Sequence, residues 1–285
     1  MRRQQTEPLA GLTAVITGAG SGIGRALAHR LSRQGCPVAL ADVDAAGLAE
    51  TARSITTPTL TRHLDVRDGA DVSAFADEVG QWSPTRIGAV FNNAGVAVQA
   101  SVAEGDPGDD QWLWDINFHG VVNGTRAFLP LLLAQRSGAI VNTSSVYGLL
   151  AVPFHSAYCA SKFAVRGYTE SLRHELDGTG VRAVTVHPGG VRTQIAERAR
   201  VRSDPEGRGR SAEQIAAEFN AATMTTPERA AQVILGGLEK GRPRILVGLD
   251  AKMVDLAVRL APSRALSLLA LVEPKPSTES AVAAP

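Results

Sequence analysis

The sequence is poor in cysteine, in aromatic residues and in net charge, and these shortages exclude several classes of protein. Its 285 residues include two cysteines, Cys36 and Cys159, which are too few for a disulfide framework and have no metal-ligand spacing. Its 29 basic and 28 acidic residues leave a net charge of +1, which argues against a nucleic-acid-binding surface. We therefore expect a cytoplasmic protein without a bound metal and without a nucleic-acid partner.

Long apolar runs are also missing. No stretch reaches the roughly 20 residues that a membrane-spanning helix needs, and residues 1–11 contain no apolar signal-peptide core. Charged residues and a proline interrupt the nearest candidate, which we expect to form an apolar helical extension over residues 251–272. Peripheral membrane contact and oligomer packing are the alternatives for this extension. Residues 273–285 are rich in proline, serine and alanine and are expected to be disordered.

Short apolar runs alternate with amphipathic stretches from Leu12 onward. Most of these runs are apolar at every position, which is typical of strands covered on both faces. The seven predicted strands are residues 12–17, 37–42, 59–65, 87–93, 138–145, 181–188 and 244–248. The predicted helices are residues 22–35, 44–55, 71–82, 110–136, 157–180 and 226–241. This order predicts one α/β domain of Rossmann type over residues 9–250, with a doubly wound, mainly parallel seven-stranded sheet and helices on both faces.

The longest irregular segment follows the sixth predicted strand, at about residues 192–222. Ligands of open α/β sheets bind beyond the carboxyl ends of the strands, so we predict that this insertion covers the site as a lid. Its arginines are interpreted as a solvated, mobile face, with attraction of an acidic or CoA-linked substrate as the alternative. They are Arg192, Arg198, Arg200, Arg202, Arg208 and Arg210.

A glycine-rich stretch, "TGAGSGIG" at residues 17–24, leaves the first predicted strand and enters the first predicted helix. Glycine permits a positive φ and lets backbone N–H groups approach a pyrophosphate closely. A helix that begins near Gly22 would also direct the positive end of its dipole at a phosphate. An ordinary strand-to-helix turn is the alternative, because short motifs match by chance.

An acidic residue, Asp42, ends the second predicted strand 18 residues after Gly24. This spacing is that of a carboxylate which accepts hydrogen bonds from the adenosine ribose hydroxyls. Such a carboxylate repels the additional phosphate of NADP, and neither Ser21 nor Val43 is basic. Arg25 could balance a 2′-phosphate, with a solvent-facing helix position as its alternative role, and NAD is favoured over NADP. A helix cap is the alternative role for Asp42.

Tyr158 and Lys162 are four residues apart in a predicted helix, which places both side chains on one face. A phenol ionises near pKa ~10, and a nearby ammonium group is expected to lower this pKa toward useful acid–base chemistry. Ser144 and Ser145 end the fifth predicted strand, and Ser145 lies 13 residues before Tyr158.

These motifs together resemble those of the classical short-chain dehydrogenase/reductase family, over nearly all of residues 9–248. The glycine-rich stretch resembles the cofactor turn of the family, and "NNAG" at 92–95 resembles its fourth-strand signature. "NFHG" at 117–120 is similar to the helix segment that carries the catalytic asparagine. "YCASK" at 158–162 and "PGGVRT" at 188–193 complete the set.

The resemblance implies a role for each catalytic candidate. Tyr158 would be the acid/base, and Lys162 would lower the pKa of Tyr158 and bind the nicotinamide ribose. Ser145 would hold the substrate oxygen, while Ser144 makes a strand-end hydrogen bond. Asn117 would support a water in a proton relay to Lys162.

The resemblance also implies a set of cofactor contacts. They are Gly18, Ser21, Gly22, Ile23 and Gly24 at the pyrophosphate; Asp42 at the ribose; Asp65 and Val66 at the adenine; Asn92, Ala94 and Gly95 under the adenosine; Tyr158 and Lys162; and Pro188, Gly189, Val191 and Thr193 around the nicotinamide amide.

The implied function is an oxidoreductase that transfers a hydride between a nicotinamide cofactor, preferably NAD, and a secondary alcohol or ketone, with a lipophilic substrate favoured. An NADPH-dependent carbonyl reductase and a non-catalytic dinucleotide-binding scaffold are the alternatives, and the complete catalytic set argues against the scaffold. His155 either lines the substrate pocket or has no special role. The helices at 107–135 and 154–178 resemble those that pair between family members, which implies a homodimer or homotetramer.

Overall fold

The computed structural model describes residues 9–202, 204 and 207–270 of the chain. Its strands are β1 (Thr13–Thr17), β2 (Val38–Asp42), β3 (Thr59–His63), β4 (Ile87–Asn92), β5 (Val98–Gln99), β6 (Ala139–Thr143), β7 (Arg182–Pro188), β8 (Arg200–Val201) and β9 (Arg244–Val247). Its helices are α1 (Gly22–Arg33), α2 (Ala45–Arg53), α3 (Gly69–Trp82), α4 (Pro107–Trp114), α5 (Gly120–Gln135), α6 (Ser156–Glu175), α7 (Ala212–Ala222), α8 (Pro227–Glu239), α9 (Leu249–Leu260) and α10 (Ala265–Ala270).

Seven strands form one sheet in the order β3-β2-β1-β4-β6-β7-β9, and every neighbouring pair is parallel. All seven predicted strands are present, and the predicted doubly wound α/β fold is confirmed. The chain leaves β1 toward one edge of the sheet and returns to build the other half from β4. The boundary between β1 and β4 is the topological switch point, where open α/β sheets bind ligands.

Two apolar clusters cover the sheet, one on each face. On one face, Leu31 of α1 and Ile234 of α8 pack against Ile16 and Val141 of the strands. On the other face, α3 and α5 meet through Phe75 and Phe128, whose ring centroids are 5.9 Å apart in an edge-to-face contact. Burial of each such side chain stabilises the fold by about 1.5–3 kcal/mol. The two layers fix the carboxyl ends of the strands, where the candidate site lies.

The helix predicted over residues 110–136 is interrupted. It consists of α4, a π-helical segment at Asp115–His119, and α5. Single π turns are rare within α-helices and are frequent at functional sites. Because apolar periodicity does not reveal a single inserted residue, the sequence predicted one continuous helix. The inserted turn carries Asn117.

The insertion at residues 192–222, hereafter the strap, contains β8 and α7. β8 pairs in parallel with β5 as a separate two-stranded sheet. Beyond β9, the predicted apolar extension begins with α9 and α10, and the expected disordered tail lies outside the described residues. No helix among the described residues is long and apolar enough to span a membrane.

Candidate active site

The glycine-rich turn packs against the end of β4 so closely that side chains would not fit. Gly18 and Gly22 have φ values of +66° and +51°, in the left-handed region that favours glycine. A Cβ on Gly18 would lie 2.8 Å from the Cα of Ala94, and a Cβ on Gly24 would overlap the Gly18 carbonyl. Asn93 donates from Nδ2 to the carbonyl of Gly18 at 3.4 Å. The turn therefore presents bare backbone at the switch point, as a phosphate cradle requires.

Asp42 lies beside this turn at the end of β2. Its Oδ2 accepts a hydrogen bond from the Gly20 N–H at 2.7 Å, and its Oδ1 accepts one from the Asp44 N–H at 2.8 Å. The cap of α2 is Asp44, whose Oδ1 accepts from the Gly47 N–H at 3.0 Å, so the capping alternative for Asp42 is wrong. A carboxylate has about four lone-pair sites, and Asp42 uses two of them here. Both of its oxygens retain capacity to accept from hydroxyl groups.

Arg25 is not the solvent-facing residue that its helix position suggested. Its Nη2 donates to the Gly20 carbonyl at 2.5 Å and to Glu50 at 2.9 Å. The guanidinium thus joins the glycine turn to α2, and Glu50 compensates its charge.

Tyr158 and Lys162 lie in the first two turns of α6, where Tyr158 is partly buried and Lys162 is 3% exposed. The Lys162 Nζ is 5.6 Å from the centroid of the Tyr158 ring and donates to the Thr143 carbonyl at 3.2 Å. Burial raises the pKa of Tyr158 to about 12, although a hydrogen bond with Ser145 acts to lower it. Burial also lowers the pKa of Lys162 to about 8. The predicted lowering of the Tyr158 pKa by Lys162 is wrong for this structure, since desolvation disfavours the phenolate and the amino group binds a carbonyl instead.

Ser144 and Ser145 follow β6 and connect it to α6. Ser145 begins a 3₁₀ turn at Val146–Gly148, and its Oγ accepts from the Tyr147 N–H at 3.1 Å. Ser144 donates from Oγ to the Lys162 carbonyl at 2.7 Å, which confirms its expected strand-end hydrogen bond.

The π turn directs Asn117 toward the same place. Its Oδ1 accepts from the Val96 N–H at 2.9 Å, and its Nδ2 donates to the Val96 carbonyl at 3.0 Å. A Cβ on Gly95 would lie 3.2 Å from the Asn117 Oδ1 and 3.4 Å from the Lys162 Nζ. Asn117, Lys162 and Gly95 therefore converge at the end of β4.

The motif after β7 faces the glycine turn across the cleft. A Cβ on Gly22 would lie 3.0 Å from the Thr193 Cγ2, so Thr193 lies beside the turn. The stretch that holds Pro188, Gly189 and Val191 leads from β7 to this contact. Ser21 and Ile23 occupy the start of α1 on the other side. The two motifs that the sequence separates by some 170 residues form one continuous rim.

A model of the short-chain dehydrogenases matches residues 12–204 of the chain. The chain belongs to the short-chain dehydrogenase/reductase family. It is 45% identical over 267 residues to the oxidoreductase SadH of Mycobacterium tuberculosis, with 91% of this chain and 94% of SadH covered.

Two solved structures resemble most of the chain. A short-chain dehydrogenase/reductase from Burkholderia phymatum in complex with NAD is 32% identical, with a TM-score of 0.80 and coverage of 96% of this chain and 99% of that chain. Levodione reductase is 28% identical, with a TM-score of 0.75 and coverage of 85% and 97%. The chain is therefore an oxidoreductase of this family, with the family's Rossmann fold and an NAD-bound relative.

Three predicted cofactor contacts of this dehydrogenase have other partners in the structure. Asn92 is buried and donates from Nδ2 to the Asn142 Oδ1 at 2.8 Å, so its side chain is directed away from the cleft, and its place under the adenosine stays a prediction. Strand alternation explains this, because the preceding and following side chains point the opposite way. Asp65 is paired with Arg67 at 2.6 Å, and Val66 packs over Gly120. The adenine contacts of Asp65 and Val66 stay predictions.

Sequence reasoning missed two residues that hold the rim of the cleft. His187, the residue before Pro188, contacts the carbonyl of Ser145 through Nδ1 at 3.0 Å. Asp250 of α9 accepts from the Gly190 N–H at 2.6 Å through Oδ2. The stretch "HPGG" offered a signal for His187, since a histidine beside a functional motif is a candidate for hydrogen bonding. Asp250 gave none, because only the tertiary fold brings α9 to the turn.

Proposed function

We propose that this enzyme oxidises a secondary alcohol with NAD and catalyses the reverse reduction of the ketone. The observation that carries the proposal is the Tyr158 phenol, hydrogen-bonded to Ser145 and 5.6 Å by ring centroid from the Lys162 Nζ. This group lies at the carboxyl ends of the strands, beside the glycine turn. It is the arrangement of a proton donor and acceptor next to a site for a hydride carrier.

The chain's own residues divide the work. Tyr158 takes the hydroxyl proton of the alcohol or returns it to the ketone. Ser145, whose Oγ accepts the Tyr147 N–H at 3.1 Å, has one hydroxyl proton, which is shared with Tyr158 here and would be donated to the substrate oxygen when the alcohol or ketone binds. Lys162 would hold the nicotinamide ribose, and Asn117 would support a water that exchanges protons with Lys162. Bound NAD supplies the hydride acceptor.

The residues present fit NAD. The turn of Gly18, Gly22 and Gly24 exposes backbone that a Cβ would cover, which suits a pyrophosphate. Asp42 can accept from ribose hydroxyls and would repel a 2′-phosphate. The nearby cation, Arg25, is paired with Glu50 at 2.9 Å, so its charge is compensated. These contacts favour NAD over NADP.

The surroundings of Tyr158 favour an uncharged, lipophilic substrate. Tyr147 stands edge-on to Tyr158 with centroids 6.1 Å apart, and His155 stands 5.5 Å from Tyr147. The partly buried Tyr158 also packs against the apolar cluster of Val98 and Leu113. Arg198, Arg200 and Arg202 of the strap are paired with aspartates, so they offer little support for the acidic or CoA-linked alternative.

We further propose a cytoplasmic homodimer or homotetramer built on residues 9–250. An aromatic cluster supports the assembly, because the Phe118 ring centroid lies 5.7 Å from that of Trp114 and 6.1 Å from that of Tyr168. Phe163 of α6 is 40% exposed. Both cysteines are unpaired and buried, which supports a reducing compartment.

A panel of secondary alcohols with NAD or NADP, followed by absorbance of the reduced nicotinamide, tests the proposal. We expect turnover with NAD that Tyr158→Phe abolishes while NAD binding, measured by calorimetry, is retained. Tyr168→Phe, in the same helix, is the matched control and should keep its activity. A Tyr158→Phe variant with most of the wild-type rate contradicts the catalytic assignment. A higher kcat/KM with NADPH favours the carbonyl reductase, and binding without any turnover favours the scaffold.

The pH dependence of the two directions gives a second test. Since burial raises the pKa of Tyr158 to about 12, the phenol is protonated at neutral pH and is ready to donate. Ketone reduction should therefore proceed well at neutral pH, and alcohol oxidation should rise as the pH increases. Equal pH profiles for the two directions would contradict the role of Tyr158.

A further inference from the structure

His187 holds the main chain of Ser145 from the neighbouring strand. Its side chain is 0% exposed at the end of β7, and its Nδ1 lies 3.0 Å from the Ser145 carbonyl. A carbonyl oxygen can only accept, so the Nδ1 of His187 carries the hydrogen. The Nε2 has no hydrogen-bond partner within the described part of the chain, which fits a neutral imidazole whose Nε2 carries no hydrogen. Burial also lowers the pKa of His187, to about 4.

The Ser145 carbonyl is held from a second side as well. It accepts from the Gly148 N–H at 3.0 Å, which closes the 3₁₀ turn. A carbonyl oxygen has two lone pairs, and these two donors use both of them. The β6–β7 ladder ends one residue earlier, where the Ser144 N–H donates to the Val186 carbonyl at 2.8 Å. Ser145 therefore lies beyond the sheet. The His187 side chain adds a contact between β7 and Ser145, one residue past the last hydrogen bond of the ladder.

We propose that His187 is a positioning residue that fixes the Ser145 hydroxyl against Tyr158. The inference rests on the proposed function, because it assigns His187 to the reaction through Ser145. His187 also connects two parts of the site, because it directly precedes Pro188, the first residue of the "PGGVRT" motif at 188–193. A misplacement of a catalytic group by about 1 Å can cost on the order of 100-fold in rate, so this carbonyl contact is expected to influence kcat.

Two substitutions separate the two nitrogens of the imidazole. The side-chain amide of asparagine places its nitrogen near the position of Nδ1, whereas that of glutamine places it near Nε2. If the Nδ1 donor matters, His187→Asn retains most of kcat and His187→Gln lowers kcat about 10- to 100-fold, with the KM for NAD unchanged. His174→Gln, at an exposed position of α6, is the matched control. Thermal melting of each variant separates loss of rate from loss of fold.

Nitrogen-detected NMR of the wild-type imidazole provides a readout that does not depend on turnover. The proposal requires the neutral Nδ1–H tautomer of His187, and slowed hydrogen exchange at the Gly148 amide that His187→Gln accelerates. An Nε2–H tautomer, or equal losses of kcat in the two variants, would overturn the positioning role. Absence of turnover with every alcohol would instead defeat the proposed function, while the tautomer and the exchange at Gly148 would still report on the contact.

Discussion

The glycine turn and the strap border the same cleft but are held by different forces. The turn is held by its backbone, because glycines in left-handed conformations let it pack closely within residues 17–24 and against the end of β4. The strap is held by ion pairs between side chains, and its Arg200 pairs with Asp109, 91 positions away in the sequence. Local constraint can be recognised in a short motif, whereas partners so distant cannot be identified before the fold is known.

The strap arginines, interpreted from the sequence as a solvated, mobile face, are partly exposed and make specific ion pairs, and the mobility of the strap stays a prediction. Arg200 and Arg202 both donate to Asp109 at 2.7 Å, and the Asp109 side chain is 4% exposed. The Arg200 guanidinium also lies 3.6 Å from the centroid of the Trp112 ring. Because a buried carboxylate is costly without a partner, the two cations and Asp109 stabilise one another. The strap is thereby tied to α4.

The largest effect is expected in the turn, from Gly24→Ala. The added Cβ would overlap the Gly18 carbonyl, and neither backbone segment can give way without opening the turn. We expect a loss of about 3 kcal/mol, on the order of 100-fold in NAD affinity by calorimetry. Gly236→Ala in α8 is the control, since a Cβ there meets nothing within 4 Å. NAD affinity that survives Gly24→Ala would show that backbone packing does not hold the cradle.

A smaller effect is expected from Asp42→Ala, which tests whether the turn also depends on a side chain. The substitution removes the acceptor of the Gly20 and Asp44 N–H groups and the proposed ribose contact. We expect a loss of about 2 kcal/mol, on the order of 30-fold in NAD affinity. The affinity for NADP should fall less, because the substitution also removes the repulsion between Asp42 and the 2′-phosphate. Asp42→Asn retains one acceptor oxygen, so its NAD affinity should fall between those of Asp42→Ala and the wild type. Equal losses of NAD and NADP affinity would contradict the role of Asp42 in cofactor choice.

The strap should respond to Asp109→Ala without any change at the turn. Arg200 and Arg202 are 42% and 49% exposed and can return to water, so we expect a loss of only about 1–2 kcal/mol in the free energy of unfolding. Hydrogen exchange at residues 200–202 should accelerate, and the KM for the alcohol should rise, while NAD affinity is retained. Asp77→Ala, at an exposed position of α3, is the control. A parallel loss of NAD affinity would show that the turn and the strap are one unit.

The same contrast explains how much of the fold and site the sequence predicts. All seven strands of the main sheet, the glycine turn and the Ser145–Tyr158–Lys162 spacing were identified from local pattern, because neighbouring residues determine them. The orientation of Asn92 and the contacts of His187 depend on packing between strands. The π turn at Asn117 depends on a pairing with Val96 that periodicity does not encode. Reversal of the expected pKa shift at Tyr158 follows from burial, which composition cannot measure.

The smallest expected effect is a loosening of the strap in acid. Hydrogen bonds from Arg202 and Arg200 hold the pKa of Asp109 below its usual range. Because the folded pKa is depressed, these pairs stabilise the strap fully above the unfolded value of about 3.9 and are lost as the pH falls through the folded value. Exchange at residues 200–202, corrected for its intrinsic pH dependence, should therefore accelerate below about pH 4 and be constant at neutral pH. Asparagine cannot titrate, so in Asp109→Asn the corrected exchange at residues 200–202 should be the same in acid and at neutral pH. A wild-type strap that stays protected from exchange at about pH 3 would show that the pairing of β8 with β5, rather than charge, holds the strap.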